Sequence, residues 1–396
     1  MSRFNRREFI KQAGLFGAVL AWGAKEVHAS TVGWQERRDL FPQGVASGDP
    51  DANSVILWTR RPPMSQPAQK LTVEVAEDSD FRRVIAKKTT SISADEDWTC
   101  RVFVAGLKPR KVYWYRFTDE HGFGSRVGRT ITAPTDQDNR PINFAFVSCQ
   151  NNNQGSCNAY RRMIWEDKKK PANEQLGFVL HLGDFVYEMV WYPEDRPKGY
   201  YSRRLRDVVR FKSGEKISDF HVPTMVQDYR DLYSGYLLDP DLQDARAYFP
   251  FVCVWDNHEF SWQGRQSIAQ AGGEPRPGQT VKVAANQAWF EYIPARVKVP
   301  SGSLDTFGVL AVKNVPIEKW DDSGLGIEPN NLKAINSLIA YRSLRYGQHL
   351  DLIVTDQHSF CGDDPTDAEG VGKIYDPTFN GMFSEPAMIA LDAGRT

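Results

Sequence analysis

Side chains able to bind metal ions follow three short apolar runs in this sequence of 396 residues. The run 143–148 is followed by Cys149, the run 177–182 by Gly183 and Asp184, and the run 248–255 by Asp256, Asn257, His258 and Glu259. Thiolates, carboxylates, amide oxygens and imidazoles are metal ligands, and histidine also transfers protons. Each segment alone also fits a turn or a helix cap. Their recurrence at the ends of apolar runs predicts a metal-centred site.

An α/β sheet would bring these side chains together. Helical stretches separate the apolar runs, and the sequence places them at 160–170, 225–236 and 332–346. A fourth apolar run at 350–354 precedes Asp356 and His358. Alternating strands and helices are typical of such sheets, whose ligands bind beyond the carboxyl ends of the strands. We therefore predict an α/β domain over residues 142–396.

A different pattern precedes this domain. Short runs that alternate apolar and polar residues, bounded by turn residues, lie at 54–58, 71–75, 101–104 and 113–117. Short strands at this spacing are typical of a β-sandwich. We predict a small all-β domain over residues 41–133, followed by a polar linker at 134–140. Its aromatic residues fit either a sugar-binding face or core packing, and core packing is the favoured interpretation.

The first 29 residues have the three parts of an export signal. A basic head containing Arg6 and Arg7 precedes an apolar stretch at 13–22, and small residues follow up to Ala29. The paired arginines predict a twin-arginine signal peptide, recognised by the twin-arginine export machinery and cleaved near Ala29. An ordinary secretory signal with two arginines is the alternative. Either signal predicts a periplasmic or secreted protein, and no apolar run of the mature sequence is long enough to span a membrane.

Composition excludes some partners. Charged residues make up 25% of the chain and the formal net charge is -1, so no strong field favours nucleic acid or an anionic membrane. We predict no specific nucleic-acid binding. Five cysteines are present, and an odd number leaves at least one thiol without an intramolecular partner.

The motifs together resemble a known enzyme family. Gly183-Asp184 and Asn257-His258-Glu259, on successive runs, resemble the GD…GNHE pattern of binuclear metallophosphoesterases, with Asp256 in place of glycine. Ser148-Cys149-Gln150 stands where most of those enzymes have Asp-x-His, and Tyr187 and Glu188 follow Asp184. These departures match the alkaline phosphatase D (PhoD) family, and residues 41–60 look like the start of its N-terminal sandwich.

The resemblance implies a fold, a reaction and a metal set. The fold is a layered, calcineurin-like α/β metallophosphoesterase domain preceded by a fibronectin-III-like sandwich. The reaction is hydrolysis of small phosphate mono- or diesters by a metal-activated hydroxide, serving phosphate acquisition. Cys149 and Tyr187 are the expected Fe(III) ligands, Asp184 is expected to bridge two metals, and oxygen donors such as Asn257 suit Ca²⁺. Other divalent metals remain possible.

Further residues receive roles in this interpretation. His258 is expected to protonate the leaving group or steady the phosphate, and Glu259 to orient His258. Asp256 fits either a metal ligand or a partner of one. Arg230 fits either a phosphate contact or a solvated helix face. Cys149 as an inert buried thiol and Tyr187 as simple packing are the weaker alternatives, and His181 is predicted to be a core residue.

One expected motif is missing. The final Gly-Asp-x-His pair of the family is not found before residue 396, which leads us to expect a fragment of a longer protein. Asp356 and His358 fit either a substitute ligand pair or an earlier segment, where the family commonly has Asp-Thr-Arg. The missing motif keeps open a non-catalytic extracellular protein that binds phosphate esters, or an inactive fragment. A redox protein with an iron centre is a third hypothesis, which no cysteine-rich or dinucleotide-binding motif supports.

Overall fold

The computed structural model describes residues 19–20, 27–321 and 324–362. The paired arginines of the predicted export signal and the end of the predicted α/β domain lie outside these residues. Within them, no helix is both long enough and apolar enough to cross a membrane.

The N-terminal part of the chain consists of short strands in two facing sheets. In chain order these strands are β1 (Val19–Leu20), β2 (Gln35–Glu36), β3 (Val45–Asp51), β4 (Ser54–Arg60), β5 (Lys70–Ala76), β6 (Val84–Ser91), β7 (Thr99–Ala105), β8 (Val112–Asp119), β9 (Phe123–Gly124) and β10 (Gly128–Ile131), with one 3-10 helix at Ala94–Glu96. One sheet contains β1, β7, β4 and β3, and the other contains β2, β9, β8, β5 and β6, with β10 paired to β8. All four runs assigned to strands from the sequence lie within these elements.

The C-terminal part of the described chain combines parallel strands with helices. Its strands are β11 (Phe144–Val147), β12 (Phe178–His181), β13 (Glu215–Ile217), β14 (Phe220–Val222), β15 (Pro250–Cys253), β16 (Ile268–Ala269), β17 (Arg276–Pro277), β18 (Arg342–Tyr346) and β19 (Leu350–Val354). Its helices are α1 (Asn158–Lys169), α2 (Val226–Tyr236), α3 (Pro240–Tyr248), α4 (Gln279–Tyr292) and α5 (Pro329–Ile335), with a 3-10 turn at Tyr200–Ser202. Strands β11, β12 and β15 pair in parallel, so their carboxyl ends meet at one edge.

The two parts share one sheet. The order of its seven strands is β1-β7-β4-β3-β15-β12-β11, because β15 pairs in parallel with β3. Strand β4 is therefore covered on both faces: Val55 and Leu57 pack in the sandwich core, and Trp58 packs against the α/β core. Burial of both faces explains why this strand is a continuous apolar run.

Buried polar contacts hold the two parts together at the end of α4. The Arg101 guanidinium donates to the backbone carbonyls of Phe290, Ile293 and Ala295, the last at 2.8 Å. The Trp58 indole nitrogen donates to the Glu291 carbonyl at 2.7 Å. The last carbonyls of a helix have no partner within it, so these donors from the sandwich complete the hydrogen bonding of α4.

A buried carboxylate also connects the sandwich to the β18–β19 hairpin. The Asp49 side chain is fully buried and accepts hydrogen bonds from Arg342 Nε at 2.7 Å and Nη2 at 2.8 Å. The Arg296 backbone amide donates to it at 2.6 Å. The bidentate geometry satisfies both oxygens of a group that is costly to bury alone.

The helix predicted over residues 332–346 is confirmed only at residues 332–335 and is wrong for the rest of its length. Helix α5 ends at Ile335, and residues 342–346 form β18, which pairs antiparallel with β19. Leu344 and Tyr346 are buried in alternation with exposed neighbours, a period of two that indicates a strand. Among the described residues β19 pairs only with this strand, so the fourth apolar run does not extend the parallel sheet.

Candidate metal centre

The turns after β11 and β12 have an unusual backbone. Cys149 and Asp184 both adopt left-handed conformations, with φ of 57° and 53°, and Gly183 has φ of 106°. The two turns are hydrogen-bonded to each other, since Cys149 N donates to Gly183 O and Gln150 N donates to Asp184 O, each at 3.1 Å. Such conformations in non-glycine residues are disfavoured and concentrate at functional sites.

The turn after β15 approaches the same point. A Cβ atom on Gly183 would lie 2.4 Å from the Asp256 backbone nitrogen and 2.5 Å from its Cβ. Only glycine, which has no Cβ, fits this contact. The positive φ of Gly183 also favours glycine at this position. The three strand ends singled out in the sequence are therefore in direct contact.

We expect Gly183→Ala to lower the free energy of unfolding by about 2 to 3 kcal/mol, because the turn must move away from Asp256 while holding a disfavoured φ. Urea unfolding followed by circular dichroism measures this change. The matched control is Gly33→Ala, whose added Cβ would meet nothing within 4 Å. Equal stability of the two variants would contradict the close contact of these turns.

A thiol, a carboxyl group and a phenol meet at these turns. The side chains of Cys149, Asp184 and Tyr187 lie close enough that each affects the pKa of the other two. The backbone nitrogen of His258 lies 3.4 Å from Asp184 Oδ1, and this contact brings the Asn257–His258 peptide to the same cluster. The structure thus brings together the proposed ligands Cys149, Asp184 and Tyr187, with Asn257 at their rim.

The electrostatics of this cluster favour a cation. Burial raises the pKa of the Asp184 carboxyl and of the Tyr187 phenol, and partial desolvation raises that of the thiol of Cys149, although this residue is exposed. Negative charge on Asp184 raises the pKa of both other groups further. A metal ion among them would stabilise the ionised form of all three groups. Sulfur, phenol oxygen and carboxylate oxygen together fit a highly charged cation.

Within residues 27–321 and 324–362, no group of three or more His, Cys, Asp or Glu side chains is close enough to hold a metal. The cluster contains two side chains of these types, Cys149 and Asp184, and Tyr187 is its third member.

Two buried glutamates support the cluster in different ways. The Glu259 carboxylate accepts the backbone amides of Asp184 at 3.0 Å, Phe185 at 2.5 Å and Asp256 at 2.7 Å. Burial raises the pKa of Glu259 to about 8. Glu259 therefore ties two turns together and does not contact the His258 ring. The Glu188 carboxylate accepts from His258 Nδ1 at 2.6 Å, so Glu188 makes the contact with this ring that the sequence suggested for Glu259.

Comparison with known proteins decides the family. Residues 144–383 match the sequence profile of PhoD-like phosphatases, and residues 27–134 match that of their N-terminal domain. The chain belongs to the PhoD-like phosphatase family. It is 36% identical to alkaline phosphatase D of Bacillus subtilis (strain 168) over 332 residues, covering 79% of this chain and 53% of that protein. The chain thus spans about half the length of the curated relative it matches.

A solved structure described as the structure of PhoD has the same architecture. It superimposes with a TM-score of 0.60 at 29% sequence identity, and the match covers 82% of this chain and 53% of that one. The resemblance inferred from the Cys149, Asp184 and Asn257 segments is confirmed. The N-terminal β domain and the mixed sheets of this PhoD-like chain agree with the predicted fold class at that level.

The remaining predicted residues fall in three environments. His358 Nε2 lies 2.5 Å from Asp256 Oδ1, so both residues border the cluster. Asp356 is fully buried behind it, where one oxygen accepts the Trp255 indole nitrogen at 2.8 Å. Its other oxygen has no hydrogen-bond partner within the described chain. His181 lies in the core, and burial lowers its pKa to about 3.

Arg230 is the one predicted residue that the structure places away from the cluster. Its guanidinium donates to both oxygens of Glu291 at 2.7 Å and to the Asp95 carbonyl at 2.5 Å. It therefore joins α2, α4 and the sandwich. The guanidinium is committed to a buried carboxylate, and neither of the two environments considered from the sequence, a phosphate contact or a solvated helix face, describes it.

Glu188 is the functional residue that sequence reasoning did not assign. Its position one residue after Tyr187 in the PhoD-like pattern was visible, but its contact with His258 spans 70 residues. Tyr187 also packs against the His258 ring, with centroids 4.1 Å apart. Tyr187 and Glu188, which are adjacent in one turn, thus both contact the His258 ring. These contacts are visible only in the folded chain.

Proposed function

We propose that this chain is a metal-dependent phosphoesterase that hydrolyses small phosphate mono- or diesters. The observation that carries the proposal is the meeting of Cys149, Asp184 and Tyr187 at the carboxyl ends of parallel strands. Membership of the PhoD-like family supports it, and a calcineurin-like layered catalytic fold is part of the same proposal. The predicted twin-arginine signal adds export to the periplasm or outside the cell, where such an enzyme would serve phosphate acquisition.

The cluster offers a distinct donor set to each metal. Cys149 and Tyr187 would hold Fe(III), Asp184 would bridge, and the side-chain oxygen of Asn257 would contribute to a Ca²⁺ site. When bound, these metals would activate water and neutralise charge on the phosphate. Asp256 and His358, in contact with each other, would lie at the edge of this site.

His258 would then supply the proton to the leaving alkoxide. Burial disfavours its charged form, but the Glu188 carboxylate and Asp184 outweigh burial, and the pKa of His258 is raised above its ordinary value. Glu188 holds Nδ1, which leaves Nε2 as the atom able to donate to substrate. A protonated imidazole fixed in one orientation fits a general acid.

Metal analysis and hydrolysis assays test the proposal together. We expect the isolated protein to contain iron and calcium by mass spectrometry, and to hydrolyse 4-nitrophenyl phosphate or its bis ester. The ratio of the two activities would identify the preferred ester class. Metal-loaded protein that binds phosphate esters without turnover would instead support the non-catalytic binding protein.

Cys149→Ser is expected to lower the iron content and to remove any visible thiolate charge-transfer band, because a hydroxyl is a much weaker anionic ligand than a thiolate. Metal analysis and absorption spectroscopy measure both effects. Cys157→Ser is the matched control, since the Cys157 thiol is buried, donates to Asn152, and lies outside the cluster. Unchanged iron in the Cys149 variant would rule out this thiol as a ligand.

We expect Glu188→Gln to reduce kcat about tenfold to a hundredfold with little change in KM, because an amide does not stabilise the protonated imidazole of His258. Steady-state kinetics with 4-nitrophenyl phosphate separate the two parameters. Glu194→Gln is the control, since Glu194 pairs with Arg210 at the surface, away from His258. A change in KM alone would contradict a role of Glu188 through His258.

A further inference from the structure

A cavity of about 700 Å³ opens beside the metal cluster and shares Cys149 with it. Its wall is formed by β11 and the turn that follows it, the start of α1, and three residues of the segment 200–203. The residues that line it include the aromatic and sulfur-containing side chains of Phe146, Cys149, Tyr160, Met163, Tyr200 and Tyr201, together with serine, asparagine and glutamine. Arg203 is the single charged residue among those that line it, and no carboxylate does so. The volume is typical of a small-molecule site.

Two tyrosines stand at the rim of this cavity. Tyr200 is 59% exposed and Tyr201 is 93% exposed, so both large rings are largely accessible to solvent. Tyr201 and Ser202 both have left-handed backbone conformations, with φ of 55° and 57°. The backbone thus holds the ring of Tyr201 outward at a conformational cost, which is typical of a functional loop.

The loop that carries these rings is fixed to the turn that carries Cys149. The Gln154 side chain is buried, and its Oε1 accepts the Tyr200 amide at 2.7 Å. A Cβ on Gly199 would lie 2.4 Å from that same oxygen, so the loop has no room to move closer. The buried Asn153 amide nitrogen donates to the Arg206 carbonyl at 2.8 Å. The tyrosines and Cys149 are therefore held at a set separation.

The ring of Tyr201 also lies near a cation. The Arg203 guanidinium carbon is 5.8 Å from its centroid, and Tyr200 packs edge-on against Trp191 at 5.8 Å. An exposed tyrosine face beside an arginine and an apolar wall suits a planar, uncharged aromatic ring. The ring need not carry a negative charge of its own, because Arg203 is the one charged residue that lines the cavity.

We propose that this cavity is a leaving-group subsite that binds an aromatic ring in the alcohol portion of a phosphate ester. The inference rests on the proposed function, because it places the ester phosphate at the metal cluster and the ring against Tyr201. Tyr201 acts by positioning the substrate and takes no part in proton transfer.

Binding of two phosphonates tests the subsite without turnover. In metal-loaded protein we expect Tyr201→Ala to weaken phenylphosphonate binding about tenfold, the size typical of a lost stacking partner, and to leave methylphosphonate binding unchanged. Isothermal titration calorimetry measures both constants. Tyr201→Phe keeps the ring and should match the native protein, and Trp165→Ala removes an exposed ring outside the cavity.

Hydrolysis provides the second measurement. Tyr201→Ala should lower kcat/KM for phenyl phosphate about tenfold and leave that for glycerol 1-phosphate unchanged. Equal effects on aryl and alkyl ligands, or no effect on either, would overturn the subsite. If the protein hydrolyses esters but Tyr201→Ala affects aryl and alkyl esters equally, the subsite is ruled out and the proposed phosphoesterase activity stands. Selective phenylphosphonate binding without turnover of any ester would keep the subsite and remove the proposed hydrolysis.

Discussion

Asp184→Asn is expected to lower kcat/KM for phosphate ester hydrolysis by about a thousandfold or more, since bridging metals contribute several kcal/mol to such reactions. The amide has one oxygen and no charge, so it cannot bridge two cations. Asparagine also tolerates the left-handed backbone found at this position, which should preserve the turn. Steady-state kinetics and metal analysis of the same preparation measure the two consequences together.

The fold of this variant should be intact, because burial raises the pKa of Asp184 and the carboxylate therefore does not stabilise the metal-free protein. Circular dichroism and urea unfolding provide that check. Asp207→Asn, at an exposed carboxylate paired with Arg210, should leave turnover and metal content unchanged. Native activity and native metal content in Asp184→Asn would contradict the proposed centre.

Asp49→Ala is expected to cost about 3 to 5 kcal/mol of the free energy of unfolding, because it leaves the Arg342 charge without its buried partner. Arg342 is only 9% exposed at its side chain, so solvent cannot replace the carboxylate. The Arg296 amide loses an acceptor in the same substitution. Chemical unfolding at equilibrium measures the loss without reference to activity.

The matched control is Asp351→Ala, which breaks an ion pair with Arg345 at the surface and should cost no more than about 1 kcal/mol. The double variant Asp49→Ala/Arg342→Ala should be more stable than the sum of the two single variants implies, because no unpaired charge remains. Additive losses would show that Asp49 and Arg342 contribute independently and that their pairing is unimportant.

The strand ends were predictable from sequence because each is a local pattern. Apolar runs stop abruptly at Cys149, Asp184 and Asp256, and parallel strands bring such ends to one edge. Their side chains come close together because the three strands are adjacent in the sheet and end at the same edge. The motif predicts Tyr187 as a neighbour of Cys149 and Asp184, while the contact between Glu188 and His258 is visible only in the folded chain.

Other features had no local signal. The strand at 342–346 follows a helical stretch without a break in composition. Its period-two pattern covers only five residues, which is too short to distinguish it from a helix in the sequence. Charges such as Asp49 and Arg230 look like surface residues in a sequence, yet both are buried in ion pairs between distant segments. Long-range pairing determines their burial, and composition does not record it.

The contact of the sandwich with the later α/β elements β15 and α4 has a consequence for biosynthesis. The buried face of Trp58 finds its partner at Glu291, 233 residues later in the chain. At typical translation rates the sandwich would therefore leave the ribosome roughly 10 to 50 s before that partner exists. During this interval the edge of β3 and the ring of Trp58 lack the partners that cover them in the fold, and exposed surface of this kind favours aggregation.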